Sequence, residues 1–154
     1  MIKLDLDDEQ ATVDLAAALA GVARVGDVIA LSGELGAGKS VFARAFVRAL
    51  SGGRRREVPS PTFTLAQAYD CDAGTVHHFD LYRLSKPEEA WELGIEDAFA
   101  DGISLVEWPE RLGAELPETR LEVAFSFAAD ANARTARITA RDDWRARLRE
   151  AGID

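Results

Sequence analysis

Eight consecutive residues, Gly33-Glu34-Leu35-Gly36-Ala37-Gly38-Lys39-Ser40, set three glycines, an amine and a hydroxyl side by side. Glycine at 33, 36 and 38 admits backbone torsions and close approaches that a Cβ would block. A loop so built can turn its amide N–H groups inward as an anion nest. A helix starting near Lys39 would add its unpaired amino-terminal donors and its dipole. Every specified position of the phosphate-binding loop pattern is matched, and a chance match arises in about one chain of this size in a few hundred. The chemistry expected is the holding of a triphosphate, with Lys39 on the β- and γ-phosphates and Ser40 on magnesium.

Such a loop needs an acidic partner for the metal. Glu107 directly follows the apolar run Ile103-Ser104-Leu105-Val106, at the strand end where ligands gather in open α/β sheets. Asp80, within His77-His78-Phe79-Asp80-Leu81-Tyr82-Arg83, is a second candidate, and a surface carboxylate is the alternative for each. Guanine is read by an Asn-Lys-x-Asp element, and none of the three lysines (Lys3, Lys39, Lys86) follows an asparagine, so ATP is the expected nucleotide. His77 and His78 are adjacent, so on a strand they point to opposite faces, and a structural role is expected for them. Cys71 lacks a basic neighbour and is assigned no chemistry.

The elements that must position these residues alternate between strand and helix. Asp7 to Ala20 reads as a first helix with Gly21 as its stop. Val28 to Leu31 is a continuous apolar run suited to a doubly covered parallel strand. Lys39 to Leu50 follows as an amphipathic helix with Phe42, Ala45, Phe46, Ala49 and Leu50 on one face. Arg54 to Pro61 reads as a polar loop. Phe63 to Tyr69 and Thr75 to Leu81 read as two strands around a turn at Asp72-Ala73-Gly74. Pro87 to Leu93 reads as a short helix, Ile103 to Val106 as a second apolar strand, and Leu121 to Phe127 with Arg134 to Ala140 as a late hairpin. Asp142 to Glu150 closes the chain as a helix, with Asp142 as the expected N-cap and Gly152 near its end. The pattern predicts a three-layer α/β fold with a mixed, partly parallel sheet and added antiparallel strands.

At 154 residues the chain is expected to form one domain, residues 1–154. Its net charge of −9 argues against a face that tracks phosphates along a nucleic acid. A single cysteine fits a reducing compartment. Met1 to Gln10 is acidic without an apolar run, and no stretch is long enough to span a bilayer, so a cytoplasmic protein away from the membrane is expected.

Together with Ser60-Pro61-Thr62-Phe63, His78-Phe79-Asp80-Leu81-Tyr82-Arg83 and Val106-Glu107-Trp108-Pro109-Glu110, the glycine loop resembles the TsaE (YjeE) family in order and spacing. The likeness also takes in Asp8 to Thr12 and runs over almost the whole chain. It implies a P-loop ATPase of tRNA threonylcarbamoyladenosine synthesis, which modifies the adenosine next to the anticodon. Its expected partners are a TsaD-type transferase subunit and a TsaB-type paralogue, with tRNA met only indirectly through that complex. The family pattern implies that Glu34, Leu35, Gly36, Ala37, Gly38 and Lys39 cradle the phosphates while Ser40 and Glu107 hold magnesium. It places Asp80 near the metal or the attacking water, Trp108 at the site or a partner contact, and Thr62 in a switch-like loop. Thr12 and Arg134 are implied nucleotide contacts. Ser40 stands where threonine is common, and either hydroxyl can ligate magnesium. Arg54-Arg55-Arg56 matches no family element.

The reaction expected is phosphoryl transfer to water, with Lys39, Asp80 and Glu107 as its catalytic groups. A small-molecule P-loop kinase and a non-hydrolysing nucleotide-gated adaptor are the alternatives.

Overall fold

The computed structural model describes residues 1–52 and 66–153. Strand β1 (Ile2–Leu6) leads into helix α1 (Glu9–Ala20), then β2 (Val28–Ser32) and α2 (Lys39–Leu50). The hairpin β3 (Ala66–Cys71) and β4 (Gly74–Asp80) follows, then the short helices α3 (Glu89–Glu92) and α4 (Ile95–Asp101). β5 (Ile103–Glu107), a 3-10 segment (Pro109–Glu115), the hairpin β6 (Leu121–Phe127) and β7 (Arg134–Thr139), and α5 (Asp142–Glu150) complete the order.

Among the described residues the strands form one seven-stranded sheet in the order β1-β7-β6-β2-β5-β4-β3. Its centre is parallel: β2 pairs with β5 and β6, and β4 pairs with β5. Both margins are antiparallel. This is the mixed α/β sheet expected from the sequence. The apolar run Val28–Leu31 lies at its centre and is buried throughout, because helices cover both faces there.

Alternation along the strands feeds two cores. One face buries Ile29, Leu31, Ile103 and Leu105 against Leu15 and Leu19 of α1, Phe42 and Phe46 of α2 and Trp144 of α5. The other buries Val28, Phe79 and Val106 against Ile95 and Ala98 of α4 and Leu112. On the first face Phe42 meets Phe46 at 6.1 Å and Phe125 at 5.8 Å between ring centroids. Truncating Phe42 to alanine would cost about 3–5 kcal/mol, which makes this cluster the support beneath α2. At the far end of the sheet, the buried Arg147 grips both oxygens of Asp27 at 2.6 and 2.9 Å and ties α5 to the start of β2.

Several boundaries differ from expectation. Asp7 lies outside α1. Asp8 is its N-cap, accepting the Ala11 amide at 2.9 Å. The N-cap of α5 is Arg141, not Asp142, which is already the first helical residue. On α2, Ala49 faces solvent while Ala43 and Val47 turn inward. The helix expected over Pro87–Leu93 is confined to Glu89–Glu92, and α4 and β1 add to the elements read from the sequence. The start of the strand expected from Phe63 and the loop from Arg54 to Pro61 lie outside the described residues.

Candidate functional site

The sheet delivers the glycine loop between the end of β2 and the start of α2, as the strand-then-helix pattern requires. Gly33, Gly36 and Gly38 take φ of 135°, 82° and 119°, in the region that disfavours side chains. At Gly33 the need is absolute: a Cβ would lie 2.5 Å from the Phe125 carbonyl oxygen on β6. Gly38 caps α2 from the left-handed region with no side chain on the first-turn amides. That leaves the helix start to accept an anion. Glu34 and Leu35 stand exposed on the loop, and Ala37 is buried beneath it.

Lys39 turns back over this loop. It is 4% exposed, its ammonium donates to the Gly33 carbonyl, and it lies 3.5 Å from the centroid of the Trp108 ring. Burial pulls its pKa below the usual lysine value, and the negative charges of Glu107, Glu110 and Asp80 oppose that pull.

The two carboxylates meet at the carboxyl ends of neighbouring strands, where Asp80 of β4 is paired in register with Glu107 of β5. Glu107 is 2% exposed and engaged at both oxygens: Oε2 lies 2.6 Å from His78 Nε2, and Oε1 accepts the Ser40 hydroxyl at 3.3 Å. Asp80 accepts the Tyr82 amide at 3.1 Å. Its pKa is raised, chiefly by burial and further by Glu107, against the lowering effect of that hydrogen bond. Immediately after Glu107 the chain reverses through Trp108 at φ 59°, which is the one positive φ outside glycine among the described residues. The Trp108 amide donates to Leu31 O at 3.3 Å, and its ring lies 4.9 Å from that of Tyr82.

Thr12 and Arg134 occupy a different place. They share a hollow of about 350 Å³ with Gly36, Gly38, Val41 and Asn132, a volume suited to a small molecule. The Arg134 guanidinium donates to Gly36 O at 3.2 and 3.3 Å and to the carbonyls of Ala131 and Ala133, each at 2.8 Å. It lies 4.8 Å over the Phe127 ring. Thr12 is buried in the wall. The expected site residues therefore fall into two groups on one loop: Lys39, Ser40, Asp80, Glu107 and Trp108 in the first, Thr12 and Arg134 in the second. Thr62 lies outside the described residues.

Ser40, Glu107 and Asp80 offer only oxygen donors, the set that a hard cation such as magnesium takes. Among the described residues no cluster of three His, Cys, Asp or Glu side chains forms a complete metal site. A cation here would draw the rest of its shell from water and from the ligand.

His78 is the residue that sequence reasoning left out of this group. It sits two positions before Asp80, and strand alternation puts both on the face of Glu107. His77 lies on the opposite face, stacked on Phe79 at 6.2 Å.

A family model described as Threonylcarbamoyl adenosine biosynthesis protein TsaE matches residues 6–136. The chain belongs to the TsaE family. It is 37% identical over 125 residues to the tRNA threonylcarbamoyladenosine biosynthesis protein TsaE of Rickettsia bellii, covering 81% of this chain and 86% of the relative. It is 38% identical over 120 residues to the Bacillus subtilis protein of the same name, covering 77% and 73%. The crystal structure of Bacillus subtilis YdiB superposes with a TM-score of 0.82 at 30% identity, over 98% of this chain and 93% of that one. Both the mixed sheet and the family read from the motifs are thus shown.

Proposed function

We propose that this TsaE-family protein of tRNA threonylcarbamoyladenosine biosynthesis binds ATP with magnesium at the Gly33–Ser40 loop and hydrolyses it. Its hydrolysis would serve a complex of a TsaD-type transferase subunit and a TsaB-type paralogue that holds the tRNA. The observation that carries this reading is one convergence: a loop with three glycines at positive φ, a helix start with no side-chain cap, and the Ser40 hydroxyl 3.3 Å from a buried Glu107 carboxylate.

In this reading Ser40 and Glu107 would hold the magnesium, with Asp80 beside them. Bound magnesium supplies a Lewis acid that offsets charge on the phosphate oxygens. The Lys39 ammonium exchanges the Gly33 carbonyl and the Trp108 ring for phosphate oxygens and brings positive charge to the γ-phosphate. Asp80, with a proton affinity raised by burial, lies one strand from Glu107, where it can orient a water. The arginine on the loop, Arg134, is taken up by three backbone carbonyls, so slow turnover is expected alone and faster turnover in complex. The net charge of −9 supports a partner, rather than this chain, as the holder of tRNA. No helix of the described residues is long and apolar enough to cross a membrane.

Replacing Lys39 by alanine tests the loop directly. Losing a charge-assisted contact of about 1.5–3 kcal/mol predicts roughly ten- to a hundred-fold weaker ATP binding by calorimetry. Unchanged binding would defeat the assignment. Phosphate release measured with and without the two transferase subunits tests the partners, and no stimulation would reject them. Phosphorylation of an added metabolite in the same assay would replace the ATPase with a kinase.

A further inference from the structure

The site holds one buried titratable group that the proposed hydrolysis does not use. His78 is 0% exposed, and its Nε2 lies 2.6 Å from Glu107 Oε2. Its other ring nitrogen, Nδ1, is buried with no hydrogen-bond partner among the described residues. A proton on Nδ1 would be an unmet buried donor, which is disfavoured. The ring proton therefore belongs on Nε2, which donates to Glu107. The opposite oxygen of the same carboxylate accepts the Ser40 hydroxyl at 3.3 Å. A line of contacts thus runs from the buried β4 strand, through β5, to the first turn of α2.

We infer that His78 is a positioning residue: its Nε2–H fixes one oxygen of the Glu107 carboxylate so that the other is presented beside Ser40 to the magnesium of a bound nucleotide. The inference rests on the ATP–magnesium reading above and adds to it a residue that touches neither nucleotide nor metal. A buried carboxylate oxygen left without a hydrogen-bond partner is costly, so the donor that satisfies it favours the orientation that keeps the contact. Among the described residues His78 is the hydrogen-bond partner of Oε2, so removing the ring leaves that oxygen without the contact that orients it. Partners that orient metal-binding carboxylates typically change metal affinity or activity by 10–100-fold when removed. Histidine suits the place because its flat ring spans from the strand to the carboxylate with few torsions to restrain.

The test is a calorimetric titration of a non-hydrolysable ATP analogue at a series of magnesium concentrations. It compares the wild type with His78→Phe, His78→Gln, His78→Asn and Lys39→Ala. His78→Phe is expected to raise the half-saturating magnesium concentration about tenfold while leaving ADP affinity in chelator unchanged. His78→Gln, whose amide nitrogen can reach the Nε2 position, is expected to return to within about threefold of wild type, and kcat should follow the same order with KM for ATP nearly constant. A merely structural histidine would show the two amides alike and the magnesium dependence unmoved. If His78→Phe fails to fold, the Gln and Asn variants decide the matter. Asn places its donor nearer Nδ1, so equal magnesium dependence in both overturns the assignment. Weakened binding in Lys39→Ala beside a wild-type response in His78→Phe sinks the positioning role alone. Wild-type binding in Lys39→Ala defeats the loop and His78 with it.

Discussion

The two halves of the loop are built on opposite plans. On the strand-end side, Glu107 is buried and engaged at both oxygens, and Lys39 is buried between a carbonyl and an indole. On the other side, the hollow beside Thr12 is open, and Arg134 rests on backbone carbonyls at its rim. The difference teaches where precision is needed. Groups that bear on charge development must be fixed in advance, because reorganisation at that moment costs rate. Groups that hold the remainder of a ligand need only shape and a few hydrogen bonds.

The floor shared by both halves offers the largest break. Phe125 lies under Gly33 and also faces Gly38, whose added Cβ would meet the phenyl ring at 3.5 Å. Gly33→Ala combines a backbone clash with strain at φ 135° and should cost about 3 kcal/mol or more. Thermal unfolding should fall by about 6–12 °C, and nucleotide binding should vanish in calorimetry. A variant that binds normally would show that the floor is not rigid.

Glu107→Gln breaks only the fixed half. It keeps the shape and removes the charge, so kcat for phosphate release should fall at least about a hundred-fold, with ATP affinity within about threefold. Arg134→Ala addresses only the open half. It should weaken nucleotide binding about three- to tenfold and leave kcat at saturation unchanged, a split that steady-state kinetics reads directly. If the halves act independently, the double variant is additive within about 0.5 kcal/mol. A larger coupling would show that the loop transmits strain between them through Gly36, whose carbonyl Arg134 holds.

The smallest effect separates Asp80 from Glu107. Its carboxyl is raised above the usual range by burial and by Glu107. A group raised in the folded state lends stability below its unfolded pKa and loses it as the pH climbs through the folded value. Asp80→Asn should therefore raise the melting temperature of the ligand-free protein at pH 7 by no more than about 2–4 °C. The gain should disappear near pH 3. An equal gain at both pH values would assign the effect to packing instead of charge.

Much of this site was legible without coordinates. The loop glycines, Lys39, Ser40 and the helix Lys39–Leu50 declare themselves through local spacing, because torsion and helix periodicity depend on near neighbours. Glu107 was legible as a strand end. The contact between His78 and Glu107 was not, although the two-residue offset of His78 from Asp80 already put both on one face of the strand. β1 escaped notice for a related reason. Its alternation of Ile2, Leu4 and Leu6 spans one short strand, and the pairing that stabilises it, Ile2 with Ile138, joins the two ends of the chain.

By itself, then, the chain's order of residues determined the glycine loop, the strand before it and the helix after it, each written in contiguous residues, and the family, written in the order and spacing of short motifs. Only the tertiary structure decided that Glu107 is shared between His78 and Ser40, that Lys39 lies against Trp108, and that Arg134 stands on the loop's other side. Those contacts join residues dozens of positions apart, and their partners are chosen by sheet order and register, which no local pattern encodes.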